Sequence, residues 1–200
     1  ANIIGKLIKL CKTKMKKIII FASGSGTNAE NLILKLPVNN FKINWHIFTN
    51  NSNAGIISKC KNLNIKCEIF NKQQFSQSLI VQNKILEIKP DIIILAGFLL
   101  KIPHSIIDLN YPIINIHPSL LPKYGGKGMY GSRVHDAVIK NKETISGITI
   151  HRVNINYDEG EVVLQKSIKL NEKETPFSLA KKIHDLEMKY FPEVIKKLIS

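Results

Sequence analysis

At 200 residues the chain has room for one domain with a full core, and its 44% hydrophobic and 22% charged residues are an ordinary globular balance. No apolar run is long enough to span a bilayer as a helix, so no membrane partner is expected. A net charge of +14 favours anionic partners such as phosphorylated metabolites, polyglutamate tails or nucleic acid. Yet no basic stripe with interleaved aromatics is visible, and drift toward Lys, Ile and Asn accounts for the charge better than nucleic-acid binding does.

The N-terminal stretch is basic, partly apolar and broken by lysines, with no small-residue cleavage site, so it fits a targeting signal poorly. "MKKIIIF" reads as a natural start. Residues 1–14 are therefore expected to be an extension, flexible or non-native, and 15–200 a single domain. Three cysteines, Cys11, Cys60 and Cys67, at no metal or CxxC spacing suggest a reducing compartment without a disulfide frame or structural metal.

In chain order, Lys16–Ala22 is an apolar run that reads as a buried strand, and Ser23–Thr27 as a turn. Asn28–Leu36 has helical spacing and stops before Pro37. Ile43–Asn50 reads as a strand, Ala54–Leu63 as a helix, Lys66–Phe70 as a strand, and Phe75–Ile88 as a helix ended before Pro90. "DIIILA" (Asp91–Ala96) is a continuous apolar strand, as expected when both sheet faces are covered. Ile113–His117 is the next strand and Ser132–Ile139 a helix. Ile145–Val153 and Glu161–Leu170 are strands, and Thr175–Ile199 is a closing helix. Alternation of strand and helix argues a doubly wound, mostly parallel α/β sheet. The segment between the last two strands is too short for a crossover helix, so those C-terminal strands should be antiparallel. Sites in such sheets gather at the C-terminal strand ends, which here groups Ser23–Asn28, Gly97–Ile102 and Asn115–Tyr124.

Each of these ends carries a motif. "ASGSGTNA" opens a helix after the first strand, and Gly24, Gly26 and Ala29 fit G-x-G-x-x-A. A dinucleotide site also wants an acid at the end of strand two, where Phe48-Thr49-Asn50 has none. Gly26, Thr27 and Asn28 are therefore read as a monophosphate site, against a bare strand-to-helix turn. After "AGF", the apolar Phe98, Leu99 and Leu100 suit either the wall of a flat aromatic ligand or ordinary core packing. In "NIHPSLLPKY", Asn115 and His117 stand two apart on a strand and so share a face. An amide and an imidazole there can both donate to one oxygen that becomes negative. Asp158, in "NYDEG", is either a turn acid or a carboxylate that reaches His117, holds it cationic and passes protons. His151, on the preceding strand, either supports the site residues from behind or is simply buried. Glu187 lies one helical turn from apolar Ile183, Tyr190 and Phe191, and pairs either with a ligand amine or hydroxyl or with a lysine.

Taken in order, "SGSGTN", "AGF", "NIHPSLLPKY", "GITIH" and "YDEG", spread over Lys16–Gln165, resemble the phosphoribosylglycinamide formyltransferases, folate-dependent enzymes of purine synthesis. The resemblance implies a cytoplasmic, metal-free enzyme, a monomer or homodimer acting on small molecules, with 10-formyltetrahydrofolate as cosubstrate. Carried over by position, it implies Asn115, His117 and Asp158 as catalytic and Gly26, Thr27 and Asn28 as the phosphate loop. It further implies Glu187 as a contact to the ribotide, and a folate pocket of Leu99, Leu100, Lys101, Ile102, Asn115, Asn154, Ile155, Asn156, Tyr157 and Asp158. Two features depart from the family. The arginines common near "AGF" and on the preceding helix are missing, which leaves Lys101 as the nearby cation for the folate tail. The loop "GGKGMYGSRVH" is longer than the common "PGxH" form. Among rivals, methionyl-tRNA formyltransferases carry an extra C-terminal RNA-binding domain and formyltetrahydrofolate hydrolases an N-terminal regulatory one, and neither is expected here. A non-catalytic nucleotide-binding module would need the anion loop but not Asn115, His117 and Asp158 together.

Overall fold

A computed structural model describes residues 14–36 and 41–200. The extension expected over residues 1–14 lies, except for Lys14, outside the described residues. Seven strands form one sheet: β1 (Lys14–Phe21), β2 (Phe41–Thr49), β3 (Cys67–Ile69), β4 (Ile92–Leu95), β5 (Ile113–His117), β6 (Ile145–Arg152) and β7 (Val162–Lys169). Their order is β3-β2-β1-β4-β5-β6-β7. Pairings from β3 through to β5 are parallel, and β6 and β7 add antiparallel, as their short connection requires.

The helices are α1 (Thr27–Lys35), α2 (Gly55–Asn62), α3 (Lys72–Ser76), α4 (Ile80–Ile88), α5 (His104–Ile107), α6 (Ser132–Lys140) and α7 (Pro176–Ile199). Two differ from the sequence reading. The helix expected over Phe75–Ile88 is split in two, because Asn71 and Gln74 form a reciprocal capping box that starts a helix early, at Lys72. The four-residue α5 is too short to show a helical period.

Strand alternation divides the core between the two faces of the sheet. Ile18, Ile20, Ile92 and Ile94 face one hydrophobic cluster, which α1, α2, α6 and α7 close. Ile19, Phe21, Ile93 and Leu95 face the other. The second cluster is aromatic: Phe21 packs on Phe48, Phe70, Phe75 and Phe98 with ring centroids 5.1–5.9 Å apart. The run Ile18–Phe21 is wholly buried, which is why it reads as continuous rather than alternating. The chain winds outward in both directions from β1 and β4, so the strand order reverses between them. Loops diverge there and leave a crevice at the C-terminal edge of the sheet.

Candidate active site

A cleft of about 500 Å³ opens at that edge. Its floor is the C-terminal end of β5. Its walls are the turn before α1, the loops after β4 and β6, the glycine loop before α6, and one side of α7.

Asn115 and His117 share the cleft face of β5, and register brings a third residue beside them. Asn115 pairs with His151 across β5 and β6, and the Asn115 Nδ2 amide lies 3.1 Å from His151 Nε2. His151 Nδ1 is 2.8 Å from the Arg152 carbonyl, an obligate acceptor, so Nδ1 carries the proton. His151 Nε2 therefore offers its lone pair to one hydrogen of the Asn115 amide. The other amide hydrogen stays free for a ligand.

His117 is 4% exposed. Its Nε2 donates to the Tyr124 carbonyl at 2.7 Å, which leaves Nδ1 as the variable atom, 3.6 Å from Asp158 Oδ2. Asp158 Oδ1 lies 3.6 Å from His151 Nε2, so one carboxylate spans both rings. The Gly126 N–H donates to Asp158 Oδ2 at 2.8 Å. Burial resists ionisation of Asp158, but the His151 and His117 rings, which attract the carboxylate when their facing nitrogens carry a proton, and the Gly126 N–H outweigh it and hold the carboxyl below its usual range. For His117 the balance is reversed. Burial pushes its pKa below the ordinary imidazole value, and Asp158 and the Tyr124 carbonyl only partly restore it. The cationic His117 expected from the sequence is thus not the ground state: the ring is neutral until the reaction supplies a proton.

The glycine loop explains how Asp158 is held. Asp158 has a left-handed φ of 56°, which aspartate tolerates better than most residues. A Cβ on Gly125 would stand 3.2 Å from the Asp158 Cβ and 2.6 Å from Leu121 Cδ2. The absence of a side chain there lets the loop lie flat against the acid.

At the other end, Gly26 caps α1 with φ 73°. A Cβ there would meet Ile56 Cα at 2.9 Å, so the close packing of α2 on this turn requires glycine. The α1 N-terminus has no side-chain cap and borders the cleft beside Thr27 and Asn28. At the end of β2, Asn50 Oδ1 accepts from the Ser23 hydroxyl at 2.6 Å. The position where a dinucleotide site needs an acid is thus a structural amide. Asn28 Nδ2 donates to Glu187 Oε2 at 2.8 Å, and His184 Nδ1 lies 3.8 Å from the same oxygen. Among the described residues, Glu187 therefore meets the phosphate-loop candidate and a histidine, not a lysine.

The folate-pocket candidates largely converge. Leu99 is 46% exposed although apolar, and its N–H is tied to the Ser23 hydroxyl at 3.0 Å. Leu100, Lys101, Ile102, Asn154, Asn156 and Tyr157 also line the cleft. Lys101 Nζ sits 5.7 Å from the Tyr157 ring centroid and joins the two loops of this wall. It is the only Lys or Arg among the described residues lining the cleft. Ile155 does not join them: its side chain is 42% exposed and lies outside the lining. Phe98 does both: its ring packs 5.1 Å from Phe21 on the aromatic core, and it also lines the cleft. Sequence reasoning missed Ser23, the Tyr124 carbonyl, the Gly126 N–H and His135. Backbone groups leave no compositional trace, and His135 sits on a helix whose pattern looks like ordinary core spacing.

Fold and site define an α/β enzyme that receives ligands across the C-terminal edge of its sheet, onto a buried imidazole flanked by a partly buried amide and carboxylate. The formyl transferase family model matches residues 16–195. Phosphoribosylglycinamide formyltransferase of Bacillus subtilis (strain 168) is 33% identical over 193 residues, 92% of this chain and 95% of that protein. The chloroplastic phosphoribosylglycinamide formyltransferase of Arabidopsis thaliana is also 33% identical over 193 residues, 91% of this chain and 65% of that protein. The crystal structure of phosphoribosylglycinamide formyltransferase from Bacillus halodurans superimposes with a TM-score of 0.79 at 28% identity, covering 92% of this chain and 96% of that one. The chain belongs to the formyl transferase family.

Proposed function

We infer that this chain transfers the formyl group of 10-formyltetrahydrofolate to the primary amine of 5'-phosphoribosylglycinamide, a step of purine biosynthesis. The site roles that follow are our reading. It is supported above all by the convergence of Asn115, His117, His151 and Asp158 at one end of a cleft whose other end is the α1 N-terminus.

The ribotide phosphate lies on the N–H groups of Gly26, Thr27 and Asn28, where the helix dipole favours an anion. Glu187, oriented by Asn28, takes polar groups of the ribotide next to it. The folate ring lies between the Leu99–Ile102 and Asn154–Asp158 segments. Among the described residues, no intrachain hydrogen bond uses the backbone of Leu100, Lys101 or Ile102, so these groups are available to a heterocycle's edge. Lys101, over Tyr157, meets the acidic tail.

The amine nitrogen then bonds to the formyl carbon, whose carbonyl oxygen becomes an oxyanion. The free Asn115 amide hydrogen donates to it. The ribotide amine arrives as ammonium and gives its extra proton to His117 Nδ1 before attack; the ring, now cationic, adds a second donor and sheds that proton to solvent after turnover. The same proton turns a lone pair facing the Asp158 carboxylate into an ion pair, so Asp158 favours His117⁺ as charge develops. Asp158, directly or through water, carries a proton from the new ammonium centre to the folate N10. The C–N10 bond breaks, and formylated ribotide and tetrahydrofolate leave. With this reading go small-molecule partners without nucleic acid, a cytoplasmic location, a monomer or homodimer, and one domain over 15–200.

Purified protein mixed with formyl folate and glycinamide ribotide, followed by folate absorbance, tests the reaction. Turnover that needs both substrates is expected. Binding of the ribotide without turnover would make the chain a nucleotide-binding module instead.

A further inference from the structure

One polar side chain of the cleft has no role in this chemistry. His135, in the middle of α6, lines the cleft and is 7% exposed. Its α6 neighbours Val134 and Val138 are buried and apolar, as core packing wants, but His135 puts a polar ring at a comparable depth. Its Nδ1 is buried with no hydrogen-bond partner among the described residues. The same is true of Asn28 Oδ1, on the separate helix that bonds Glu187. Leaving a buried polar atom unsatisfied is costly, so a site that keeps two of them is built for a polar ligand.

Charge narrows the choice of ligand group. His135 lies within electrostatic reach of both Glu187 and His117, and Asp158 is held ionised beside His117. Two carboxylates thus flank this stretch, and Lys101, the only Lys or Arg of the lining among the described residues, is on the folate side. Such a field suits a cation. On the reading proposed above, the ribotide brings one: an α-amine, with a pKa near about 8, arrives mostly as ammonium.

We propose that His135 is a substrate-binding residue that accepts a hydrogen bond from the primary amine of the ribotide and so orients the attacking nitrogen. Burial holds the His135 ring below the ordinary imidazole range, against the pull of Glu187 and Asp136, so a ring lone pair is available to accept.

Steady-state kinetics of three proteins test this. In His135→Leu, which keeps the volume and removes the acceptor, KM for the ribotide rises about tenfold to a hundredfold while KM for formyl folate stays put. In His135→Gln, which keeps a polar acceptor, ribotide KM returns to within about threefold of the parent. A ribotide analogue with methyl in place of aminomethyl inhibits the parent and the leucine variant equally. An unchanged ribotide KM in the leucine variant would make His135 a packing residue only. Analogue inhibition that weakens as much as KM would move the contact away from the amine. Should the leucine variant not fold, the parent protein decides. Its His135 imidazole resonances, assigned with the glutamine variant, shift on adding the ribotide but not the analogue; no shift with the ribotide overturns the proposal. Failure of the parent itself to turn over would instead sink the formyl-transfer reading.

Discussion

His117 and Asp158 divide the work by environment. Both are buried at the same cleft end, yet one is held neutral and the other charged. On the proposed roles, His117→Ala removes an oxyanion donor, and Asp158→Asn removes the proton carrier and the charge that favours His117⁺. Each is expected to lower kcat by at least about 10²–10³, with far-UV circular dichroism unchanged. Near-normal turnover in either variant would refute the assigned roles. Gly125→Ala probes the support of the acid rather than the acid. Its Cβ would press on Asp158 and Leu121. We expect kcat/KM to fall on the order of tenfold to a hundredfold while the unfolding midpoint barely moves, because the backbone there is accessible to alanine and small misplacements near reacting atoms are costly. Asn115 and His117 stood out in the sequence because their spacing alone puts them on one face. His151 was left open between supporting the site and plain burial, since its partnership with Asn115 depends on which residue of β6 lies opposite.

Among the elements, the β6–β7 hairpin is the antiparallel addition that carries His151 on one strand and leads out of the Asp158 loop on the other. Gly147 sits where β7 backbone crowds β6: a Cβ there would lie 2.0 Å from the Lys166 carbonyl oxygen and 2.7 Å from Leu120 Cδ2. Backbone cannot yield as a side-chain tip can. Gly147→Ala is therefore expected to destabilise the protein by at least about 2 kcal/mol, read as a lower urea midpoint at unchanged m-value. Element identity was legible wherever a period ran long enough. The expected bounds of β5 match those observed, and those of α1, α2, β6 and β7 lie within a residue of them. The α3–α4 break was not, because the helical spacing from Phe75 hid the stop at Ser76 and the capping box at Asn71.

For the whole molecule, histidine burial sets the acid response. His46, His117 and His135 all have pKa values below the ordinary 6.5, with burial as the chief cause. As the pH falls through about 6.5 the unfolded chain takes up these protons first, so stability declines from there down to the folded-state values. His184, hydrogen-bonded to Glu187, is shifted upward; its contribution is full below about 6.5 and is lost as the pH rises through its folded value. Three groups oppose one, and the one is the most exposed. We expect the urea midpoint to be lower at about pH 5.5 than at about pH 7.5. A midpoint that holds or rises on acidification would contradict the burial of these rings. Asp158 acts further down, its contribution present above the usual carboxylate range and lost as the pH falls through its depressed value.

Periodicity and turn chemistry were enough to determine the alternating elements, the antiparallel finish, the glycine turn that opens α1 and the paired amide and imidazole, because each is a local property read within a few residues. Long-range register and packing decided the rest. They set Asp158 between two rings rather than on an exposed turn, turned Glu187 toward Asn28 and His184, packed Phe98 on the aromatic core at the cleft wall, left Ile155 outside the lining and made His117 neutral. Each of those outcomes depends on what lies opposite in space and how much water is excluded, which a linear spacing does not encode.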